Sequence, residues 1–269
     1  MSRIKPFLKW AGNKYRCLDK ILSSLPAGNR LIEPFTGSAA IFMNIDYPFY
    51  LLAEDNNDLV MLFHCLQQEG ESFIAYCKGF FIPENNCDSQ YYLIREQFNK
   101  CIETRQRAAL FLYLNRHGYN GLCRYNQKGI YNVPFGRYKK PYFPLLEMRH
   151  FHEKSQRASF IHSDFRQTFI EAQPGDIIYC DPPYAPLSQR SNFSAYTNKK
   201  FGEPEQIILA ELAKDSANRG ITVIISNHDT VFTRKHYHGS TITSFPVRRS
   251  ISCHAENRQN VQELLAVFR

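Results

Sequence analysis

Ile177-Ile178-Tyr179-Cys180-Asp181-Pro182-Pro183-Tyr184 is the stretch on which the reading of this 269-residue chain turns. Gly175-Asp176 leads into an apolar run rich in β-branched residues, and the run stops on a carboxylate followed by two prolines. It reads as a buried strand with an abrupt end. Proline cannot donate to a sheet ladder and fixes its own φ, so Pro182 and Pro183 force the backbone out of the sheet just past Asp181. Asp181 is thereby held at a strand tip. In open α/β sheets the carboxyl ends of strands face the ligand crevice, so this turn presents an acid, a proline carbonyl and an aromatic ring together.

Those three groups suit the alkylation of an exocyclic amino group on a heteroaromatic base. The lone pair of such an amine is delocalised into the ring, and it becomes nucleophilic when acceptors bind its hydrogens. Asp181 and the Pro182 carbonyl supply acceptors and Tyr184 supplies a stacking surface; a cationic methyl donor gains from the nearby carboxylate and π-face. Asp-Pro alone favours the blander reading, a strand that merely turns, and the full tetrapeptide after an apolar strand reverses the balance. Asp181-Pro182-Pro183-Tyr184 resembles the catalytic motif of amino-group methyltransferases that use S-adenosylmethionine. The same tetrapeptide occurs in protein glutamine and some RNA methyltransferases, so it implies the reaction and leaves the substrate open.

The formal net charge of +8 favours a polyanionic partner, nucleic acid first. The length suits one α/β domain with a sizeable insertion. No apolar run approaches the ~18 residues of a membrane span and no signal-type core follows Met1, so a soluble, cytoplasmic protein is expected, acting as a monomer. Eight cysteines without a Cys-x-x-Cys pair are expected to be reduced. His150-Phe-His152 and His236-Tyr-His238 are too closely spaced for helical ligand pairs, and no metal is expected.

Phe7-Leu8-Lys9-Trp10-Ala11-Gly12-Asn13-Lys14 holds the only tryptophan. It resembles the N-terminal motif of DNA adenine methyltransferases, where the segment lines the methionine end of the cofactor. The resemblance implies that Trp10 and Lys14 contact S-adenosylmethionine, Lys14 facing its carboxylate, and that Lys9 faces DNA. Asn13 stands where the family has glycine, and asparagine tolerates a left-handed backbone.

Leu31 to Ala40 is an apolar entry, a small-residue loop and a predicted helix at Ile41-Phe42-Met43. A strand entering a glycine turn is the dinucleotide-fold way of bringing backbone close to a ligand, which makes Phe35 and Gly37 cofactor candidates. Gly37-Ser38-Ala39 stands where related proteins carry Gly-x-Gly. Roughly 20 residues on, Tyr50 to Ala53 forms a second strand ending at Glu54-Asp55, where such a unit places a carboxylate for ribose hydroxyls. Glu54 is the expected acid, with Asp55 as substitute.

From Asn57 to about Arg116 the periodicity is helical. Tyr113 to Phe143 then carries six Lys or Arg, no acid and eight aromatics in 31 residues. Rings interleaved with cations suit phosphate contact combined with stacking or wedging, and the glycines predict a hairpin between Tyr125 and Val133. Asn115 to Asn126, with Asn132 to Pro141, resembles the target-recognition domain of Dam-type enzymes that methylate adenine in GATC. The resemblance implies DNA contacts by Tyr119, Asn120, Leu122, Arg124, Pro134, Arg137, Tyr138 and Lys139. Its place between cofactor and catalytic motifs implies the alpha group of DNA amino-methyltransferases.

Ser159 to His162 predicts a further strand, and the resemblance places cofactor-adenine contacts at Asp164 and Phe165. Ser188, Asn192 and Tyr196 are candidates for the adenine pocket or DNA backbone, and Arg248-Arg249 for a phosphate. A helix over Pro204 to Asn218, a buried strand over Ile221 to Asn227 and a closing strand from Gln262 complete the pattern. His228-Asp229 lacks a partner nucleophile and is not read as a catalytic dyad.

The expected fold is α/β, a Rossmann-like S-adenosylmethionine-dependent methyltransferase sheet with an inserted helical and β-hairpin DNA-recognition domain. Residues 1–56 and 145–269 form the catalytic domain and 57–144 the recognition domain. The expected function is methyl transfer to N6 of adenine in double-stranded DNA, at GATC, with the base flipped out. Its rivals are a DNA-binding relative without catalysis, motivated by Asn13, Ala39 and Glu54-Asp55, and a methyltransferase of RNA or protein glutamine, which leaves the basic insert idle.

Overall fold

Seven strands form one sheet in the order β3-β2-β1-β4-β5-β7-β6. They are β1 (Arg30–Glu33), β2 (Phe49–Glu54), β3 (Ala158–His162), β4 (Asp176–Cys180), β5 (Thr222–His228), β6 (Thr241–Arg248) and β7 (Asn260–Phe268). The computed structural model describes residues 3–185, 201–248 and 260–269. β1 to β5 are parallel, and β7 runs antiparallel between β5 and β6. In a sheet of this order the connections wind away from the β1/β4 pair in opposite senses, which opens a crevice at the carboxyl ends of those two strands. Asp181 and the loop after Glu33 both emerge there.

The central strands are buried on both faces, which is why they read as continuous apolar runs. All five residues of β4 are buried. On one face α7 (Phe165–Glu171) and α8 (Glu203–Asn218) cover Ile32, Ile178 and Val223 with Phe165, Phe169, Leu209 and Ala213. On the other, α2 (Asn57–Glu69) and α6 (Leu145–Ser155) bring in Phe63 and Phe151, stacked at 5.0 Å, with Phe160 of β3 at 5.3 Å from Phe63. The short helix α1 (Leu18–Leu22) follows the N-terminal motif.

The second core cluster runs without a break from Leu31, Leu52, Tyr179 and Ile224 through α2 into α3 (Glu71–Lys78), α4 (Asp88–Lys100) and α5 (Thr104–His117). It ends on Tyr131, Val133 and Phe135. Thus α2, which lies beyond residue 56, is a layer of the sheet, while α3 to α5 carry the segment that follows them.

Two local expectations need correction. The predicted helix at Ile41 is a single 3-10 turn, Phe42–Asn44, that ends in extended backbone at Ile45. Asn44 stops it by bonding the backbone of Ile4 and Ala40 through its amide group. The hairpin between Tyr125 and Val133 is present but short, one bridge from Tyr125 to Tyr131 flanked by the bonds Asn126 N to Ile130 O at 2.9 Å and Asn132 N to Arg124 O at 3.1 Å, with another bridge joining Gly118 to Phe135. The strand at β6 and the helices α6 and α9 (Val231–His236) were not foreseen. Ser188, Asn192, Tyr196 and Arg249 lie outside the described residues, as does the side chain of Arg248.

Candidate active site

The β4 ladder ends at Cys180, paired with Ile225 of β5, so the next residues on the two strands, Asp181 and Ser226, lie side by side at the sheet's edge. Ser226 Oγ donates to Asp181 Oδ1 at 3.0 Å. Lys14 Nζ meets the same oxygen at 2.7 Å and stands 4.5 Å from the centroid of the Tyr184 ring. Burial raises the Asp181 pKa, and the ammonium of Lys14 and the bond from Ser226 oppose that shift. A carboxylate held beside a cation, a proline carbonyl and an aromatic ring is an acceptor for amine hydrogens. Tyr184 is fixed by its hydroxyl, which donates to Glu263 Oε2 of β7 at 3.1 Å, and by the edge of His228 at 4.8 Å. The turn itself is pinned: Gln206 donates to Pro183 O at 2.7 Å, and Ala185 N donates to Asn227 Oδ1 at 3.0 Å.

The loop after β1 is stapled to β2 by Thr36, whose hydroxyl bonds the carbonyls of Glu33 and Ala53. Gly37 has φ 49°, and a Cβ there would lie 3.0 Å from Trp10 Nε1. Only glycine lets the indole close over this turn. Glu54 accepts the Gly37 N–H at 2.9 Å and the Asn56 N–H at 3.2 Å. Its pKa is raised by burial, against those two bonds. Asp55 is exposed. Phe35, half-buried, stacks on Phe165 at 5.4 Å, with Phe201 against both. Asp164 caps α7 and pairs with Arg166 at 2.8 Å. Glu33 is buried at the end of β1 with Oε1 unpartnered among the described residues. Burial pushes its carboxyl up to about 8, with a backbone bond at Phe42 opposing and the charge of Asp181 adding.

The aromatic, basic segment forms a surface above α4 and α5. Tyr119, Asn120, Arg124, Lys128, Pro134, Arg137, Lys139 and Lys140 are exposed. Asn120 and Arg137 hold left-handed backbone, φ 52° and 53°. Arg124 is held by Asn132 through Nε, at 2.7 Å, and a terminal nitrogen. Arg137 pairs with Asp88 at 2.9 Å in a solvent-exposed contact worth little. Beneath, Asp58 of α2 holds Arg107 at 2.5 Å and the Tyr125 hydroxyl at 2.5 Å, and Asn56 donates to Cys123 Sγ. Leu122 is half-buried against the core.

Residues 10–251 match the family described as D12 class N6 adenine-specific DNA methyltransferase. The chain belongs to that family. It is 47% identical over 269 residues to the DNA adenine methylase of Escherichia coli K12, covering all of this chain and 97% of that protein. It is 48% identical over 270 residues to the DNA adenine methylase of Serratia marcescens, covering all of both. The Vibrio cholerae El Tor enzyme of the same name is 47% identical over 269 residues, with 100% and 97% covered. This chain is therefore a site-specific adenine DNA methyltransferase with the sheet that its sequence led us to expect.

Within this D12 methyltransferase, the predicted residues fall into two groups. Lys14, Asp181, Pro182 and Tyr184 meet at the β4 tip, with Trp10, Gly37 and Glu54 meeting at the adjoining turn. Lys9 lies against the recognition segment: its Nζ bonds Arg116 O at 3.1 Å and sits 3.6 Å from the centroid of Tyr138. Burial, with Arg116 nearby, lowers its pKa to about 8. Its backbone is clasped by Asn115, which accepts from Lys9 N at 2.9 Å and donates to Lys9 O at 2.7 Å. Asn13 needs no left-handed tolerance, since φ is −58° there and the left-handed residue is Gly12 at 77°. Its side chain instead caps Tyr15 N. Ala39 does take the left-handed form, at φ 58°. Sequence reasoning missed Ser226, Glu263, Asn115 and Asp58. For Asp58 a signal existed, an acid at a helix start on an otherwise apolar face; Ser226 and Glu263 carry none without the strand order, and Asn115, on α5, entered only as the start of the recognition motif.

No helix among the described residues is long and apolar enough to cross a membrane. Among those residues no group of three or more His, Cys, Asp or Glu is placed to hold a metal.

Proposed function

We propose that the chain transfers a methyl group from S-adenosylmethionine to N6 of adenine within GATC in double-stranded DNA, with Asp181, Pro182 and Tyr184 as the residues at the reacting amine. The observation that carries this reading is the Asp181 carboxylate, fixed at the β4 tip between Lys14 and Ser226 and beside Tyr184.

The residues around Gly37 fit the cofactor. The turn closed by Trp10, the acid Glu54 bonded beneath it, the half-buried ring of Phe35 and the ammonium of Lys14 offer one complement each: backbone approach, hydroxyl acceptor, ring contact and carboxylate partner. Asp164 and Phe165 line the same side. When bound, the cofactor supplies a methyl group made electrophilic by its sulfonium. Asp181 and the Pro182 carbonyl accept the two amine hydrogens and raise the electron density on nitrogen, and Tyr184 stacks on the base and excludes water. A partly buried acceptor already oriented in the free protein reorganises little as charge develops.

An adenine amino group lies at the major-groove edge of its pair, so the base leaves the helix to reach this pocket, as for other enzymes that modify bases. Tyr119 and Asn120 wedge into the space, Arg124 reads a guanine, Leu122 and Pro134 make apolar contacts with bases, and Arg137, Tyr138 and Lys139 meet the backbone. Lys9 joins them by leaving Tyr138. Residues 57–144 serve recognition and the rest catalysis, α2 belonging to both, and the enzyme works as a cytoplasmic monomer. Labelled methyl transfer to duplexes differing only at one base of GATC tests the reading. Equal incorporation into all of them, or transfer to RNA alone, overturns it.

A further inference from the structure

The sheet brings one more side chain to the reacting carboxylate. Ser226 is the residue of β5 after the Cys180–Ile225 pair and is almost wholly buried, 1% exposed. Its Oγ lies 3.0 Å from Asp181 Oδ1 and 3.3 Å from Cys180 O. Behind it, the hydroxyl of the buried Tyr179 donates to Ser226 Oγ at 3.2 Å. A carboxylate only accepts and a serine hydroxyl carries one proton, so the direction of this chain is forced: Tyr179 to Ser226 to Asp181. Lys14 meets the same Oδ1, but from the end of a long flexible stem. Ser226 stands on a central strand with one torsion to set, so it is the donor that can hold the carboxylate in one plane.

We propose that Ser226 is a positioning residue for methyl transfer, locking the orientation of the Asp181 carboxylate, with Tyr179 as the second link that keeps the Ser226 proton aimed at it. This rests on Asp181 being the amine acceptor. Any buried serine must find a partner, and Cys180 O alone would satisfy it. What distinguishes Ser226 is that the chain terminates on the group that meets the substrate. Its loss should therefore act on the rate and not on binding.

The groups facing Asp181 are Lys14 from the N-terminal turn, Glu33 from β1, Tyr179 and Tyr184 from its own strand and turn, Ser226 from β5 and Glu263 from β7. Burial disfavours the ionised carboxylate, while Lys14, Ser226 and Tyr184 favour it. Removing the serine hydroxyl raises the pH at which Asp181 ionises, so the acid limb of the rate moves to higher pH.

The test is single-turnover methyl transfer to a GATC duplex by Ser226→Ala, Tyr179→Phe, the double variant and Asp181→Ala, each with its pH profile. Ser226→Ala should lower kcat roughly 10- to 100-fold, the scale of one hydrogen bond to a charged group. DNA KM and S-adenosylmethionine Kd should stay within about twofold, and the acid limb should rise. Tyr179→Phe should lose less, and the double variant no more than Ser226→Ala. A wild-type rate and pH profile for Ser226→Ala overturns the proposal, as does a loss shared equally by kcat and both affinities. If Ser226→Ala does not fold, Tyr179→Phe decides alone, an unchanged rate and profile overturning the chain. An active Asp181→Ala, which leaves no side-chain acceptor, sinks the acceptor reading beneath it, whereas an inactive Asp181→Ala beside an unaffected Ser226→Ala sinks only this inference.

Discussion

The β4 tip and the segment 118–143 both present groups to substrate, yet opposite means hold them. β4 is paired on both sides, Arg30 to Asp176 through Ile32 to Ile178 with β1, and Ile177 to Thr222 through Cys180 to Ile225 with β5. Segment 118–143 has two isolated bridges. A few backbone bonds within the segment are supplemented by side chains from α4 and its approach. Tyr91 and Arg95 both donate to Val133 O at 3.0 Å, Asn99 bonds Tyr131 in both directions, and Asn86 donates to Tyr138 O at 2.8 Å. A ladder fixes a residue through neighbours that repeat with period two, and suits one carboxylate that must not move. Tethers fix a surface at separate points, and suit a set of groups meeting a long ligand.

If the two regions are as separable as that suggests, the largest effect comes from the ladder side alone. Asp181→Ala should lower kcat by a factor on the order of 10²–10³, as for other preorganised partners of a reacting group. Discrimination between GATC and altered duplexes should survive in direct binding measurements. A variant that also loses discrimination would show that the two regions act as one.

Glu33 sharpens the ladder side by pH. Its carboxyl, at about 8 when folded against 4.5 as the ordinary value, binds a proton more tightly in the native state. The stability this confers is fully present below about pH 4.5 and is lost as pH rises toward 8. Glu33→Gln stays neutral and should escape that loss. Each tenfold change in proton affinity is worth about 1.4 kcal/mol, so after a discount for relaxation the variant should gain roughly 3 kcal/mol over the parent near pH 8. Thermal unfolding from pH 5 to 8 measures it. A variant that tracks the parent across that range places the ionisation elsewhere.

The same contrast decides what the sequence discloses. β1, β2, β4 and β5 were legible nearly to the residue, because burial on both faces writes a continuous apolar run and Asp-Pro-Pro ends one of them. Asp181, Lys14, Trp10 and Gly37 were legible as motifs. Ser226 and Glu263 were not, because their importance lies in β5 and β7 being the strands beside β4, and strand order is a property of the whole chain. β6 escaped notice because an edge strand tolerates Pro246 and needs little apolar surface. The hairpin is shorter than Gly129 and the alternating aromatics predict: Asn126 N bonds Ile130 O and Asn132 N bonds Arg124 O, while the outer edge of Tyr131 is held by Asn99, some 30 residues away, and not by another strand.

On the tethered side the expected effects are smaller. Arg124→Ala should relax discrimination at a guanine of GATC by about 1–3 kcal/mol, the worth of one bidentate base contact. Lys139→Ala should instead weaken cognate and altered sites alike and flatten the salt dependence. The measurement is kcat/KM on GATC and its single-base variants at two salt concentrations. An Arg124→Ala loss shared by every duplex would make it a backbone contact. Asn99→Ala removes two bonds to Tyr131 and should cost about 1–2 kcal/mol, felt as faster hydrogen exchange in 122–135 and weaker discrimination. S-adenosylmethionine affinity should not change; if it does, the tethers reach the cofactor turn.

The smallest expected effect tests the one place where the ladder side breaks a local rule. Ala39 is fully buried and left-handed, with φ 58°. Left-handed backbone costs a residue with a Cβ roughly 1–2 kcal/mol. Glycine in its place would relieve that strain, but it would lose about 0.5–1 kcal/mol to the freedom of the unfolded chain. It would also give up one buried methyl, about 0.8 kcal/mol. The three contributions nearly cancel. Ala39→Gly should therefore change unfolding stability by less than about 0.5 kcal/mol in either direction. The Gly37 turn, bonded to Glu54 and covered by Trp10, is untouched by this change, so S-adenosylmethionine affinity should stay within about twofold. A stabilisation above about 1 kcal/mol would mean that strain at Ala39 is not offset by packing. A gain in cofactor affinity without one in stability would mean that the strain is carried in the bound state, and that the turn moves when the ligand enters.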